Sequence, residues 1–260
     1  MSGISLTTAM RGNLLSLQNT QSLITTTQNK LATGLKVSSA LDNAQSFFQA
    51  SAMNNRASDL ARLQDGMGLA IKTFEAADKG IKAMTKIAEN MAAVAKSALD
   101  ATTVASRTDF QTQFEELRKQ MAGIANDSGF NGVNLLGGDS LTTQFDENNV
   151  NTQTATGVDY RGFGAGTAYA AANAVVGVAQ ATAWTTADAA GDTAIKASQD
   201  LVKAAISTLR EKASVFGSNL TVVKVREDFT KEMINTLKGG ADGLTLADQN
   251  EEAANLLALQ

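Results

Sequence analysis

The sequence predicts a mainly α fold, an elongated antiparallel bundle of long heptad helices that carries a small β-hairpin. Apolar residues recur in unbroken steps of three and four from Leu60 to Ala98, which is the spacing of a helix packed lengthwise against others. The 260 residues contain no proline, so nothing kinks long helices. Only 5% of the residues are aromatic, and abundant alanine suits closely spaced helices better than a wide globular interior.

The longest predicted helix runs from about Ala44 to Thr103 and contains this seam. Some 60 residues at about 1.5 Å each would span roughly 90 Å. Gly66, Gly68 and Gly80 weaken the helix by about 1 kcal/mol each relative to alanine. Packing against other helices, rather than intrinsic propensity, must therefore stabilise it.

Two more bundle helices and a final short helix are predicted from heptad spacing and end signals. Thr108 and Gln111 form a capping box, which predicts a helix with Thr108 as its N-cap. Heptad spacing returns at Thr193, and that helix is expected to close at Lys238-Gly239-Gly240, where a basic last turn meets glycine. A capping box at Thr245 predicts the start of the final helix.

The predicted bundle core consists of the large apolar side chains on these seams. Its methionines stand at seam spacing and are therefore assigned to packing rather than to ligand binding. The core residues are Leu60, Leu63, Met67, Phe74, Ile81, Met84, Met91, Phe110, Phe114, Leu117, Met121, Val202, Ile206, Leu209, Phe216, Leu220 and Val223.

The heptad pattern breaks between residues 141 and 192, and this stretch is predicted to hold the hairpin. Residues 141–145 are assigned to one strand, residues 158–160 to the returning strand, and the polar residues 146–157 to the loop between them. The alanine-rich run 168–184 fits either a helix or a buried strand.

A separate seam in the first 41 residues is predicted to pack between subunits. Two of its positions are glutamine, so we expect the segment to be frayed in an isolated subunit and helical after assembly. An ordinary amphipathic helix docked on its own domain is the alternative. The residues predicted to form subunit contacts, including those of the final helix, are Met10, Leu14, Leu17, Ile24, Leu31, Leu35, Leu246, Leu256 and Leu257.

The two ends of the chain differ in charge. Residues 1–41 contain three basic residues and no acid, whereas residues 241–260 contain four acids and no base. Two interpretations fit: the ends attract each other within or between subunits, or the charges are solvated on exposed faces.

Composition argues against several kinds of function. The chain has no histidine and no cysteine, and so lacks the usual general base, the commonest metal ligand and thiol chemistry. We therefore expect no enzyme activity, no cofactor and no metal. A formal charge of −4 with scattered bases argues against nucleic-acid binding. No apolar run approaches the roughly 18 residues of a membrane span, so no membrane insertion is expected.

Several blocks of sequence resemble bacterial flagellins and occur in the same order as in that family. They are Leu31-Ala32-Thr33-Gly34-Leu35-Lys36-Val37-Ser38-Ser39-Ala40, Asp42-Asn43-Ala44, Leu63-Gln64-Asp65-Gly66-Met67, Asn131-Gly132-Val133-Asn134-Leu135-Leu136 and Gly217-Ser218-Asn219-Leu220. Each block alone is a weak signal, but their order is specific. The stretch 242–260 is most similar to flagellins of α-proteobacterial type.

The resemblance implies a role for each segment. Residues 1–42 would form the N-terminal inner-tube helix of a filament, and residues 241–260 the start of the C-terminal inner-tube segment. Residues 43–140 and 193–240 would form the two halves of the bundle, and residues 141–192 the hairpin with a short, reduced insert. By the same resemblance, the chain would lack the last part of the family's C-terminal inner helix, and polymerisation is expected to need that part.

The resemblance also implies a structural subunit of the bacterial flagellar filament, which self-assembles by helix–helix packing for motility. Its implied partners are other subunits, a flagellar export chaperone, and cap and junction proteins. Its implied location is extracellular, reached by the flagellar type III route, since the polar N-terminus lacks a Sec signal. The alternatives are a hook–filament junction protein and a flagellin-like surface protein that binds polysaccharide.

Overall fold

The structure, a computed structural model, describes residues 7–164, 178 and 181–260. The elements are α1 (Thr8–Thr33), α2 (Ala44–Asp100), α3 (Val104–Asp127), β1 (Ser140–Gln144), β2 (Thr152–Thr156), a 3-10 helix (Arg161–Gly164), α4 (Ala189–Thr245) and α5 (Gln249–Leu259). The predicted mainly α bundle with a small hairpin is confirmed. Most of the alanine-rich run 168–184 lies outside the described residues. None of the described helices is long and apolar enough to cross a bilayer.

The chain forms two compact units. Unit 1 consists of Met1–Ala61 and Lys231–Gln260, and unit 2 of Arg62–Thr230. Helices α2 and α4 contribute residues to both units. Unit 1 contains α1 and α5, whereas α3 and the hairpin belong to unit 2.

The seam of α2 is buried in the core of unit 2. Met84 and Met91 have no exposed surface. The ring of Phe74 lies 6.2 Å from that of Phe216 on α4, and the ring of Phe114 on α3 lies 5.0 Å from that of Trp184. Helices α2, α3 and α4 therefore share one apolar interior.

The predicted core residues fall into two classes of exposure. The buried ones are Leu60, Met67, Phe74, Ile81, Met84, Met91, Phe114, Met121, Val202, Leu209, Phe216 and Val223. The half-buried ones, which pack against the core of unit 2, are Leu63, Phe110, Leu117, Ile206 and Leu220.

Helix α3 begins earlier than its predicted capping box. Its N-cap is Thr103, whose hydroxyl oxygen accepts a hydrogen bond from the Ser106 N–H at 3.2 Å. Thr108 lies inside the helix, and its hydroxyl donates to the Val104 carbonyl at 2.9 Å. The prediction of Thr108 as N-cap is therefore wrong. The buried Arg107 donates to the Ala101 carbonyl, a contact across the α2–α3 turn that a local capping signal does not reveal.

The hairpin exists, but its returning strand differs from the prediction. Strands β1 and β2 pair antiparallel from Ser140↔Thr156 to Gln144↔Thr152. The assignment of residues 158–160 to the returning strand is wrong, because the N–H groups of Val158 and Tyr160 donate to the carbonyls of Leu135 and Leu136 at 2.7 and 2.9 Å. Strand β2 shows threonines to solvent on alternate positions, so its sequence is as polar as a loop.

Helix α4 passes through its predicted stop at Gly239 and Gly240 and ends at Thr245. A Cβ atom at Gly240 would lie 3.2 Å from the Met53 sulfur, so this glycine permits close packing inside unit 1 and does not end the helix. The predicted N-cap of the final helix is also wrong. The cap of α5 is Asp248, whose carboxylate accepts the N–H groups of Asn250 and Glu251 at 2.9 and 3.3 Å.

Candidate assembly surface

Helix α1 has defined ends on both sides. The Thr7 hydroxyl caps the first turn by accepting the Met10 N–H at 3.4 Å. At the other end Gly34 adopts φ = 71° and donates its N–H to the Lys30 carbonyl at 2.8 Å. Residues with a Cβ atom rarely adopt this left-handed conformation. The turn after α1 therefore explains why the Leu31–Ala40 block contains a glycine.

The chain after α1 is tied to the chain before α5 by backbone hydrogen bonds. The N–H groups of Lys36 and Val37 donate to the Thr245 carbonyl at 2.8 and 3.3 Å. The Ala247 N–H donates to the Gly34 carbonyl at 2.9 Å, beside a bridge between Leu35 and Leu246. The two terminal segments therefore meet within one copy of the chain.

An ion pair links α1 to α5 directly. The Lys30 ammonium lies 3.0 Å from a Glu252 carboxylate oxygen, with 33% and 13% of the two side chains exposed. For this pair, the attraction between basic and acidic ends occurs within one chain. A partly exposed pair of this kind contributes no more than about 1 kcal/mol. It therefore helps to orient α5 on α1 but adds little to the stability of the contact between the two helices.

Within the described residues, α5 lies against only the later part of α1. It has 11 residues against 26 in α1. Thr27 of α1 is buried, and Ile24 and Leu31 on the same seam are half-buried. Nearer the N-terminus, Met10, Leu14 and Leu17 are 55%, 49% and 69% exposed. We call these three residues the open α1 face.

The other predicted subunit-contact residues lie around α5 and the joint before α2. Leu35 and Leu256 are half-buried, whereas Leu246 and Leu257 are 48% and 75% exposed. The structure does not bring all nine predicted residues into one cluster. Heptad reading also missed Leu15 and Leu23, which are exposed but lie off the seam.

One carboxylate stabilises the turn between α1 and α2 by accepting several hydrogen bonds. Asp42 accepts hydrogen bonds from the N–H and hydroxyl groups of both Ser38 and Ser39, at 2.9 to 3.2 Å. These bonds, led by that of the Ser38 hydroxyl, lower the pKa of the Asp42 carboxyl below its ordinary 3.8. Across the described residues, no group of three or more acidic side chains is placed to hold a metal ion.

Helix α1 and the joint after it lie in a stretch that matches a known family. Residues 4–140, more than half of the chain, match the family described as the bacterial flagellin N-terminal helical region. The chain belongs to the bacterial flagellins. It is a structural subunit of the flagellar filament and acts outside the cell, and its family polymerises with further flagellin subunits.

Relatives match the chain over nearly its whole length. Flagellin FljK of Caulobacter vibrioides is 26% identical over 253 residues, covering 96% of this chain and 87% of the relative. A flagellin of Brucella melitensis is 25% identical, covering 95% of this chain and 86% of the relative. Flagellin C of Rhizobium meliloti is 26% identical, covering 90% and 84%. The predicted likeness to α-proteobacterial flagellins is confirmed, and neither the junction protein nor the polysaccharide-binding protein is favoured.

Proposed function

We propose that copies of the chain join in the filament through the open α1 face. The observation that supports this proposal is the uneven burial of the apolar seam of α1. In the described chain α5 covers only the later part of this seam, and the earlier part is exposed. The three side chains are about half exposed, so burying what remains contributes about 3 to 5 kcal/mol before the entropy costs of association. The face therefore favours assembly together with other contacts between copies.

We further infer that an export chaperone covers this face before assembly, that the chain leaves by the flagellar type III route, and that it meets cap and junction proteins at the filament ends. An uncovered stripe of large apolar residues promotes premature association, so it needs a cover inside the cell. The role is structural and involves no catalysis.

The test compares two leucines of similar exposure on α1. Leu17 is on the open face, whereas Leu15 is 61% exposed and lies about 200° around the helix from Leu17. With a complete C-terminal inner helix present in every chain compared, purified Leu17→Ser chain should elongate filament seeds at least about tenfold more slowly than the unsubstituted chain, a difference of roughly 1.4 kcal/mol. Leu15→Ser is the matched control and should elongate seeds close to the normal rate. Equal slowing by both substitutions, or none by Leu17→Ser, would contradict the proposal.

A further inference from the structure

Helix α4 has a second apolar face on the side away from the core. Val215, Val222, Val225 and Phe229 are 43%, 44%, 62% and 56% exposed. With Ser218 they follow steps of three and four, which places them on one side of the helix. The buried Phe216 and Val223 lie on the opposite side. We call this second face the outer stripe.

The hairpin lies along one edge of the outer stripe. The Gln153 amide donates to the Asn219 side-chain oxygen at 2.9 Å, and the Arg226 guanidinium lies 5.4 Å from the centre of the Phe145 ring. The other edge carries Thr221 and Asp228, both exposed. The β-hairpin therefore borders the outer stripe on one side. The other side is open to solvent and carries an acidic residue.

Helix α2 carries a complementary surface on its outer side. Leu69 is 49% exposed and borders a shallow groove of about 610 Å³, lined also by Gln64, Asp65, Gly68, Lys72 and Glu227. Further along the same side, half-buried alanines at 76 and 83 alternate with exposed lysines at 79 and 86. We call this surface the α2 outer face.

Against the described part of the chain, the glycines beside Leu69 make no close contact that would require glycine. A Cβ atom at Gly66 or Gly68 would meet nothing within 4 Å. Each glycine nevertheless costs a helix interior about 1 kcal/mol relative to alanine. Glycine at such a place permits the close approach of another molecule to the helix backbone.

We propose that the outer stripe of one copy packs against the α2 outer face of a second copy, with Phe229 entering the groove beside Leu69. This inference rests on the filament function and adds a contact to the open α1 face. Phe229 cannot fill the groove of its own copy, because Glu227, two residues earlier, lines that groove and the two side chains point about 200° apart. The groove is therefore open to Phe229 of another copy.

Spacing and charge both favour this occupant. Because the residues of the outer stripe are spaced by three and four positions, the stripe is suited to packing against another helix and not against an extended peptide. The acids Asp228 and Glu211 near the two ends of the outer stripe face the lysine-rich side of α2 in the second copy. Two different surfaces meet head to tail in this contact, and such a contact generates open filaments instead of closed dimers.

Cysteine cross-linking tests the contact, since the chain contains no cysteine of its own. Elongation of filament seeds by the unsubstituted chain with a complete C-terminal inner helix is measured first, and its failure would count against the filament function itself. All variants carry the same complete helix. Val225→Cys and Leu69→Cys chains are then mixed, assembled on seeds and oxidised. The matched control replaces Val225→Cys by Val104→Cys, because Val104 on α3 is equally apolar and 49% exposed but lies on neither surface.

The mixed Val225→Cys and Leu69→Cys assembly should give at least about tenfold more cross-linked dimer than the control mixture, as expected for groups held close together. Phe229→Ser should slow elongation by a similar factor, and Val104→Ser should not. Equal yields from the two mixtures, or cross-linking of Val225→Cys to itself, would overturn the proposed contact while leaving the filament function intact.

Discussion

At the scale of residues, the largest fully buried side chain in the described chain is that of Trp184. It has no exposed surface, its ring lies 5.0 Å from that of Phe114, and its indole N–H donates to the Ser198 hydroxyl at 3.3 Å. The Ala181 N–H beside it donates to Glu115 at 2.6 Å. The segment before α4 is thus held against α3 by one buried ring and a polar contact.

Removing this ring should weaken the fold more than removing any exposed aromatic residue. Trp184→Ala should lower the free energy of unfolding by about 3 to 5 kcal/mol, because it leaves a cavity and removes the hydrogen bond to the Ser198 hydroxyl. Urea unfolding followed by circular dichroism measures the change. Phe229→Ala is the control, since Phe229 is 56% exposed, and it should stay within about 0.5 kcal/mol. A loss below about 1 kcal/mol for Trp184→Ala would contradict this account.

The Asp42 carboxylate should make the α1–α2 joint sensitive to acid. Its pKa in the folded chain lies below the ordinary 3.8, chiefly because Ser38 donates to the ionised form. The stabilisation is therefore present above pH 3.8 and is lost as the pH falls through the lowered folded pKa. Amide exchange at Ser38 and Ser39, corrected for its intrinsic pH dependence, should show protection that disappears in this acidic window. Asp42→Asn should abolish that pH dependence, and an unchanged profile would contradict the prediction.

At the scale of elements, the sequence predicts helix interiors better than helix ends. The seam of α2 is visible because its period repeats over many residues, so single exceptions do not hide it. Helix ends depend on contacts that lie far apart in the chain. Gly240 looked like a stop because local rules do not show Met53, against which it packs. Strand β2 was missed because only Ala155 is buried in it and its other residues are polar.

The glycines of the bundle helices divide into two kinds, and substitution separates them. A Cβ atom at Gly80 would collide with the side chains of Ser128 and Leu136, whereas one at Gly123 would meet nothing within 4 Å. Gly123→Ala should raise the free energy of unfolding by about 0.5 to 1 kcal/mol, the helix propensity gain. Gly80→Ala should lower it by about 1 to 3 kcal/mol through overpacking. Paired urea titrations measure both, and equal signs would contradict the structural distinction.

At the scale of the whole molecule, the family and its role were predictable, but the full assembly surface was not. Ordered motifs such as the Leu31–Ala40 block exposed the resemblance, because several weak signals in fixed order are jointly specific. Which apolar residues of α1 are covered depends on contacts with distant segments, such as the Lys30–Glu252 pair 222 residues apart, and no local pattern contains those contacts. The outer stripe was overlooked for another reason: Val222 and Phe229 share α4 with a stronger seam that dominates the periodicity.

The uneven cover of α1 predicts uneven stability along that helix. The open α1 face has no apolar partner in the described chain, so residues 8–20 depend on helix propensity, and a short isolated helix is marginal in water. Residues 24–31 gain the contact with α5 and the Lys30–Glu252 pair. In an isolated subunit the amides of residues 8–20 should therefore exchange at least about tenfold faster than those of residues 24–31. Incorporation into filaments should remove the difference, because neighbouring copies cover the open face.

Hydrogen exchange of free and assembled chain measures both states. Equal, strong protection of the two halves in the free subunit would show that α1 needs no partner, and the link between its folding and assembly would fail.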